Sequence, residues 1–270
     1  MRVLILGVDG MLGHKLYQTL WKEMDTYGTS RRKSVDDYVY GEVDIRDLNR
    51  LAEIMDRISP DVVVNCIGIV KSIAKNLSEC IQINSISPHE IYQVCKSVKA
   101  NMIHLSTDCV FSGKRGNYLE DDASDADDLY GRTKYLGEVP KALTIRTSMI
   151  GYELGTQKGL VEWFLSQTEV DGYTNAIFSG FPTLHLSRII MDIILSRKEM
   201  KGVYHISSEP ISKHDLLCFL KQGLGLDTKI NRFDDFHCNR SLNSDKFRKE
   251  MGFTPLPWNK MIKEFVEDGR

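Results

Sequence analysis

The sequence has no apolar run near the roughly 20 residues that cross a bilayer, and Met1–Leu6 breaks at Gly7 before it could form the hydrophobic region of a signal peptide. Proline is scarce, at seven of 270 residues, and repeats and low-complexity tracts are missing, which excludes collagen-like and disordered classes. The six cysteines (Cys66, Cys80, Cys95, Cys109, Cys218, Cys238) include no C-x-x-C pair, so neither a zinc site nor a disulfide frame is indicated and no metal is assigned. Charge of one sign is also lacking. The 35 Lys and Arg residues are scattered and balanced by 37 Asp and Glu, giving −2, which leaves no sustained field for a nucleic-acid backbone. With 42% hydrophobic residues, what remains is an ordinary globular protein able to bury a sizeable core. It is expected to be cytoplasmic, with neither membrane nor nucleic acid as partner.

Short apolar runs alternate with longer amphipathic ones through the first half, the rhythm of a parallel sheet with crossover helices. Strands are expected at Val3–Leu6, Tyr27–Ser30, Tyr38–Val43, Asp61–Cys66, Met102–Ser106 and Ala142–Arg146. Helices are expected at Met11–Met24, from Asp44 to before Pro60, over Leu77–Ala100 and at Leu129–Val139, with a Gly- and Asp-rich loop over Ser112–Asp128. Beyond Ser148 the rhythm is less regular: helices near Leu160–Gln167, Ser187–Ser196 and Lys213–Gly223, and a strand at Gly202–Ser207. The expected fold is therefore α/β, a doubly wound parallel sheet of the Rossmann kind. Residues 1–148 would form the dinucleotide-binding domain, which the chain could re-enter later, and 149–270 mainly a smaller C-terminal substrate lobe.

Gly7, Gly10 and Gly13 lie directly after the first strand and open the first helix, in Gly7-Val8-Asp9-Gly10-Met11-Leu12-Gly13. Absence of a Cβ at these places permits a tight turn, close backbone approach to a pyrophosphate and close helix packing, and the helix N-terminus offers free N–H groups to the anion. After the second strand no acidic residue awaits a ribose 2′-hydroxyl. Thr29-Ser30-Arg31-Arg32-Lys33 supplies hydroxyls and three cations where a 2′-phosphate would lie. Basic runs of this kind are usually solvated loops, but the position favours NADP(H), with NAD(H) as the alternative.

Tyr130 and Lys134 are four residues apart at the start of a helix, so phenol and ammonium share a face. A tyrosine titrates at about 10, too high for easy proton exchange at neutral pH, and an adjacent lysine cation would lower that value. Such pairs arise by chance in many helices. Ser106-Thr107-Asp108 adds weight, because it follows a strand and could bring a hydroxyl to the same carbonyl oxygen.

Taken with Val43-Asp44-Ile45-Arg46-Asp47 and Ser106-Thr107-Asp108-Cys109-Val110-Phe111, these motifs resemble the extended short-chain dehydrogenases/reductases, and within them most the dTDP-4-dehydrorhamnose reductases. The likeness covers essentially the whole chain. It implies NADPH-dependent reduction of a nucleoside-diphosphate-linked 4-keto-6-deoxy sugar, as in polysaccharide biosynthesis, by a chain that commonly forms homodimers. It further implies that Thr107 bonds the substrate carbonyl, Tyr130 delivers the proton, and Lys134 holds the nicotinamide ribose and depresses the tyrosine pKa. Asp44 and Ile45 would lie beside the adenine, and Ile67-Gly68 would line the cofactor channel. Asn239-Arg240-Ser241-Leu242-Asn243 resembles the segment near the nucleotide diphosphate, which makes Arg240 a candidate phosphate ligand or else a surface arginine.

Two departures bear on the sugar: Cys109 stands where rhamnose-forming members usually have an aromatic residue, and Met149 where they have a tryptophan. Both would line the substrate pocket and point to another nucleotide-linked 4-keto sugar. Cys109 has no base paired with it in the sequence and is read as a pocket-lining thiol. Trp163 and Phe164 could stack on a base, although aromatics at helical spacing are more often core. His104, His185, His205, His214 and His237 lack metal-ligand spacing. The alternatives are an epimerase or 4,6-dehydratase of the same superfamily, or a non-catalytic NADP-binding regulatory subunit. Cys109 stands where dehydratases have an acid, and an intact Thr107, Tyr130 and Lys134 disfavour the subunit.

Overall fold

The computed structural model describes residues 1–155 and 159–269. The chain begins β1 (Arg2–Leu6), α1 (Met11–Leu20), β2 (Asp25–Thr29), β3 (Val39–Tyr40), α2 (Leu48–Ile58) and β4 (Val62–Asn65). There follow α3 (Leu77–Cys80), a π-helical stretch (Ile81–Ile86), α4 (Ser87–Ser97), β5 (Asn101–Leu105), α5 (Leu129–Leu136) and β6 (Leu143–Arg146). The remainder comprises β7 (Met149–Ile150), α6 (Leu160–Leu165), β8 (Glu169–Tyr173), β9 (Ala176–Phe178), β10 (Phe181–Pro182), α7 (Thr183–Ser196) and β11 (Gly202–His205). It ends with β12 (Ile211–Ser212), α8 (Lys213–Leu224), β13 (Lys229–Phe233), β14 (Cys238–Asn239), α9 (Asp245–Met251) and α10 (Trp258–Asp268).

Seven parallel strands form the central sheet in the order β3-β2-β1-β4-β5-β6-β11. Continuous apolar strands are what a parallel sheet covered on both faces requires. In β1, Val3 and Ile5 join a core with Leu12 and Leu16 of α1 and Ile190 and Ile194 of α7. Leu4 and Leu6 join a second core with Leu51 and Ile54 of α2 and Ile91 and Cys95 of α4. Helices thus cover both faces, as in a Rossmann fold, and each fully buried side chain contributes about 1.5–3 kcal/mol. Strand order reverses between β1 and β4, which opens a crevice at their carboxyl ends.

Several expected elements differ. The helix expected over Leu77–Ala100 is interrupted by the π-helical stretch, which inserts an extra residue into the turn and carries Asn84 into the interior. The helix expected from Asp44 starts at Leu48, because Asp47 caps it by accepting the Arg50 N–H (3.0 Å), while Asp44 accepts the Arg46 N–H in a preceding turn. α1 stops at Leu20, the third strand is only two residues long, and α7 starts at Thr183. Residues 202–205 add the sheet's seventh strand, so the polypeptide returns to the central sheet after leaving it. β12, β9 and β14 form a small sheet and β13 pairs with β8. Two of those three small-sheet strands are two residues long, too short to carry a periodicity, and they are absent from the sequence expectations together with α9 and α10.

Candidate active site

The glycine turn occupies the crevice at the switch point. Gly7 has φ of +87°, and a Cβ on Gly13 would lie 2.1 Å from the Gly7 carbonyl oxygen, so α1 can start this close to β1 only with glycine there. Gly10 precedes α1 without any side-chain cap and the first turn has no acid, so the N-terminal turn that begins with Met11 and Leu12 is left to an external anion. Ile67 packs against Gly7, and Gly68 adjoins both Asn84 Oδ1 and Lys134 Nζ. The turn is thereby joined through residues 67–68 to Lys134, and these residues fit a dinucleotide.

At the end of β2, Ser30 is buried and its hydroxyl donates to Asp9 Oδ2 (2.6 Å) while accepting the Arg32 N–H (2.9 Å). Although the sequence has no acid after the second strand, the fold delivers one from the glycine turn. Arg31 and Arg32 are exposed. Asp44 is held down to about 2, chiefly by its hydrogen bonds to Arg46, with Arg31 adding to the effect, and Ile45 is buried.

Thr107 follows β5. Its hydroxyl accepts the Cys109 N–H (3.1 Å) and donates toward Asp108 Oδ1 (3.2 Å), and it is near enough to the Tyr130 phenol to act on its pKa. Gly131 makes this meeting possible: a Cβ there would lie 2.1 Å from the Cys109 carbonyl oxygen. Asp128 caps α5 by accepting the Gly131 N–H (2.7 Å) and pairs with Lys71 (2.5 Å). Lys134 is buried and donates to the Leu105 carbonyl (2.6 Å); burial lowers its pKa to about 8, against the opposing pull of Glu138 and Cys66.

The expected depression of the Tyr130 pKa is not what the structure shows. Burial, then the proximity of Cys109, Asp108 and Asp128, push the phenol above its ordinary value, and the nearby Thr107 hydroxyl only partly opposes this. The Lys134 ammonium is engaged by the Leu105 carbonyl.

Of the residues expected to line the substrate pocket, Cys109 is half-buried and its thiol is pushed up to about 12 by burial and by Asp108, so it is an unreactive thiol. Arg240 donates from Nε to the Phe111 carbonyl (2.8 Å) and its stem lies against Gly113, which places it at the same turn. Met149 is half-buried in β7, paired with Phe181. Trp163 is 39% exposed on α6, and its aromatic neighbour among the described residues is Phe164, a core residue 6.5 Å away.

The family model of the RmlD substrate binding domain matches residues 1–270. The chain belongs to that family. The spore coat polysaccharide biosynthesis protein SpsK of Bacillus subtilis is 27% identical over 286 residues, spanning 99% of this chain and 97% of that protein. A dTDP-4-dehydrorhamnose reductase of Aggregatibacter actinomycetemcomitans is 25% identical, with 97% of each covered. Among solved structures, that of a dTDP-4-dehydrorhamnose reductase of Bacillus anthracis, in complex with NADP, superimposes with a TM-score of 0.84 at 22% identity, covering 100% of this chain and 99% of that one.

In this RmlD-family chain the geometry adds residues that the sequence did not single out. Asn84, from the π-helical stretch, accepts the Ile69 N–H (2.8 Å), donates to the Ile69 carbonyl (3.0 Å) and reaches Thr133 (3.3 Å). Glu138 accepts from Ser106 Oγ (2.8 Å) and from Nε and Nη2 of Arg146 (2.7 and 2.8 Å), which ties the Thr107 turn to α5. Its spacing of four from Lys134 was visible in the sequence; its buried partner Arg146 was not. His104 meets Asn65 (3.1 Å) and is held neutral by burial and by Lys134. Among the described residues no His, Cys, Asp and Glu cluster could hold a metal, and no helix is long and apolar enough to cross a membrane.

Proposed function

We propose that this RmlD-family chain reduces the C4 carbonyl of a nucleoside-diphosphate-linked 4-keto-6-deoxy sugar, using NADPH in preference to NADH. The observation that carries it is the close docking of α5 on the Thr107 turn at Gly131 and Cys109, which brings Tyr130 to that turn, with the buried Lys134 of the same helix joined through Ile67-Gly68 to the uncapped glycine turn. Support comes from the reductase names of relatives and from the NADP in the Bacillus anthracis structure.

A bound nicotinamide supplies a hydride to the carbonyl carbon. Gly7, Gly10 and Gly13, with Met11 and Leu12, would hold the pyrophosphate, Ser30, Arg31 and Arg32 the 2′-phosphate, Asp44 and Ile45 the adenine, and Lys134 the ribose. Thr107 Oγ1 bonds the carbonyl oxygen and orients it. Tyr130, whose raised pKa keeps it protonated at neutral pH, donates its O–H proton to the oxygen as negative charge develops there. Lys134, kept charged by Glu138, would stabilise the resulting phenolate from its place one turn along the same helix. Cys109 and Met149 replace bulky aromatics with smaller or more flexible side chains, which favours a sugar other than the rhamnose precursor.

The test is NADPH consumption against a panel of 4-keto sugar nucleotides, compared between the wild type and Tyr130→Phe. Turnover by the wild type with retained NADPH binding but loss of turnover in the variant is expected. A wild type that binds NADPH and turns over none of the panel would instead favour a non-catalytic subunit.

A further inference from the structure

The substrate side of the cleft holds a cation that the proposed chemistry leaves unused. Lys213 is the first residue of α8, directly after Ser212, whose hydroxyl caps the helix by accepting the Asp215 N–H (3.0 Å). A lysine there faces the positive end of a 12-residue helix, where acidic side chains are the favoured ones. Its ammonium lies 4.1 Å from the centre of the Phe178 ring in β9, and among the described residues it has no hydrogen bond and no ion pair. A half-buried amine whose direct neighbour is a ring face is poorly compensated for the water it has lost.

Arg240 approaches the same place from β14. Both cations act on the same three residues, Asp108, Cys109 and Cys238. Gly113 fixes that wall, since a Cβ on it would lie 2.7 Å from Cys238 Sγ and 3.1 Å from Arg240 Cγ. Ser212 and Asn239 both pair with Ile177 of β9, so Lys213 and Arg240 follow neighbouring strand ends, and the carboxylate on which both act, Asp108, is buried and disposed by that burial toward its neutral form. Asp128, which also acts on Arg240, is already paired with Lys71.

We infer that Lys213 is a substrate-binding residue and that, with Arg240, it grips the diphosphate of the sugar nucleotide, the lysine as a point charge and the arginine as a planar fork. A diphosphate suits two cations at neighbouring strand ends better than a neutral sugar hydroxyl, which would leave both charges uncompensated. The assignment rests on the nucleotide-sugar substrate proposed above.

The experiment measures dTDP, UDP and GDP, and the matching nucleosides, binding to the NADPH-saturated full chain by calorimetry, for the wild type, Lys213→Met, Lys213→Gln and Lys213→Arg. An unchanged affinity for NADPH shows that each variant is folded, and the glutamine variant serves if the methionine one is not. Expected is a rise of tenfold or more in the diphosphate Kd for the uncharged variants, with most of the affinity kept by Lys213→Arg. For any sugar nucleotide turned over, KM should rise with kcat little changed. Equal diphosphate affinity in the wild type and an uncharged variant would overturn the clamp, as would a wild type that binds no diphosphate. If diphosphate binding depends on Lys213 and yet no 4-keto sugar nucleotide is reduced, the clamp stands and the ketoreductase assignment falls.

Discussion

Tyr130 illustrates how a side chain's surroundings decide its use. A phenol pushed above its ordinary pKa stays protonated at neutral pH, so Tyr130 is in the donor form that carbonyl reduction needs, but it is a weaker acid than a free phenol and its proton transfer depends on stabilisation of the phenolate. Tyr130→Phe should lower kcat by about 10²–10⁴-fold, the usual contribution of a positioned acid, with the NADPH Kd unchanged in a fluorescence titration. Asp9 is the counterpart at the other end of the proposed cofactor site. Its carboxylate, held by Ser30, puts a negative charge at the end of β2 beside the arginines expected to bind a 2′-phosphate. Asp9→Asn should shift the ratio of kcat/KM for NADPH over NADH upward by about tenfold, ~1.4 kcal/mol, while alanine at Arg31 and Arg32 should raise KM for NADPH far more than for NADH. The glycines and the Tyr130/Lys134 spacing could be read from the sequence because each is local. Asp9 could not be placed at the end of β2, because a pairing across 21 residues is set by the β1–α1–β2 crossover.

At the scale of elements, the site depends on two places where α5 is docked without room for a side chain. Gly131 meets the Cys109 carbonyl, and a Cβ on Gly137 would lie 1.8 Å from the Asn84 carbonyl oxygen. Gly131→Ala must therefore separate α5 from the Thr107 turn. We expect a loss of about 1–3 kcal/mol of stability from the overpacking, measured by urea unfolding, together with a drop in kcat of about 10²-fold from the displaced phenol. The α5 helix was legible in its apolar and polar pattern. The π-helical stretch was not, since Leu77–Ala100 has no glycine to announce a break, and its single proline, Pro88, sits in the first turn of α4 where proline is tolerated. What it creates is a buried amide, Asn84, satisfied by both backbone groups of Ile69.

For the molecule as a whole, the central sheet was legible and the small strands outside it were not. Parallel strands buried on both faces print long apolar runs in the sequence, whereas β7, β10, β12 and β14 are two residues each and exist through partners far along the chain. The two parts are locked by His205 of β11. Its Nδ1–H faces the carbonyls of Tyr118 and Asn243 (3.0 and 3.1 Å), and Nε2 accepts from Arg146 (3.3 Å), the tautomer being inferred from those partners. Burial and then the Arg146 charge pull its pKa down to about 3 from 6.5. Because the folded-state value is the lower one, the stabilisation is complete above pH 6.5 and is lost as the pH falls from there toward 3, when the unfolded chain takes up a proton the native one refuses. Denaturant melts should show stability falling in that window by up to about 1.4 kcal/mol per pH unit from this residue, and the slope should flatten in His205→Gln.

The most direct measurement is the fate of a label. NADPH deuterated at the transferable position is supplied with the 4-keto sugar nucleotide that supports turnover, and the product is examined by NMR. Deuterium bound to C4 of the sugar, with none at C3 or C5, is the expected result. Product formed without deuterium at C4, or label arriving from solvent D2O at a ring carbon while NADPH remains unoxidised, would contradict hydride reduction at that carbon.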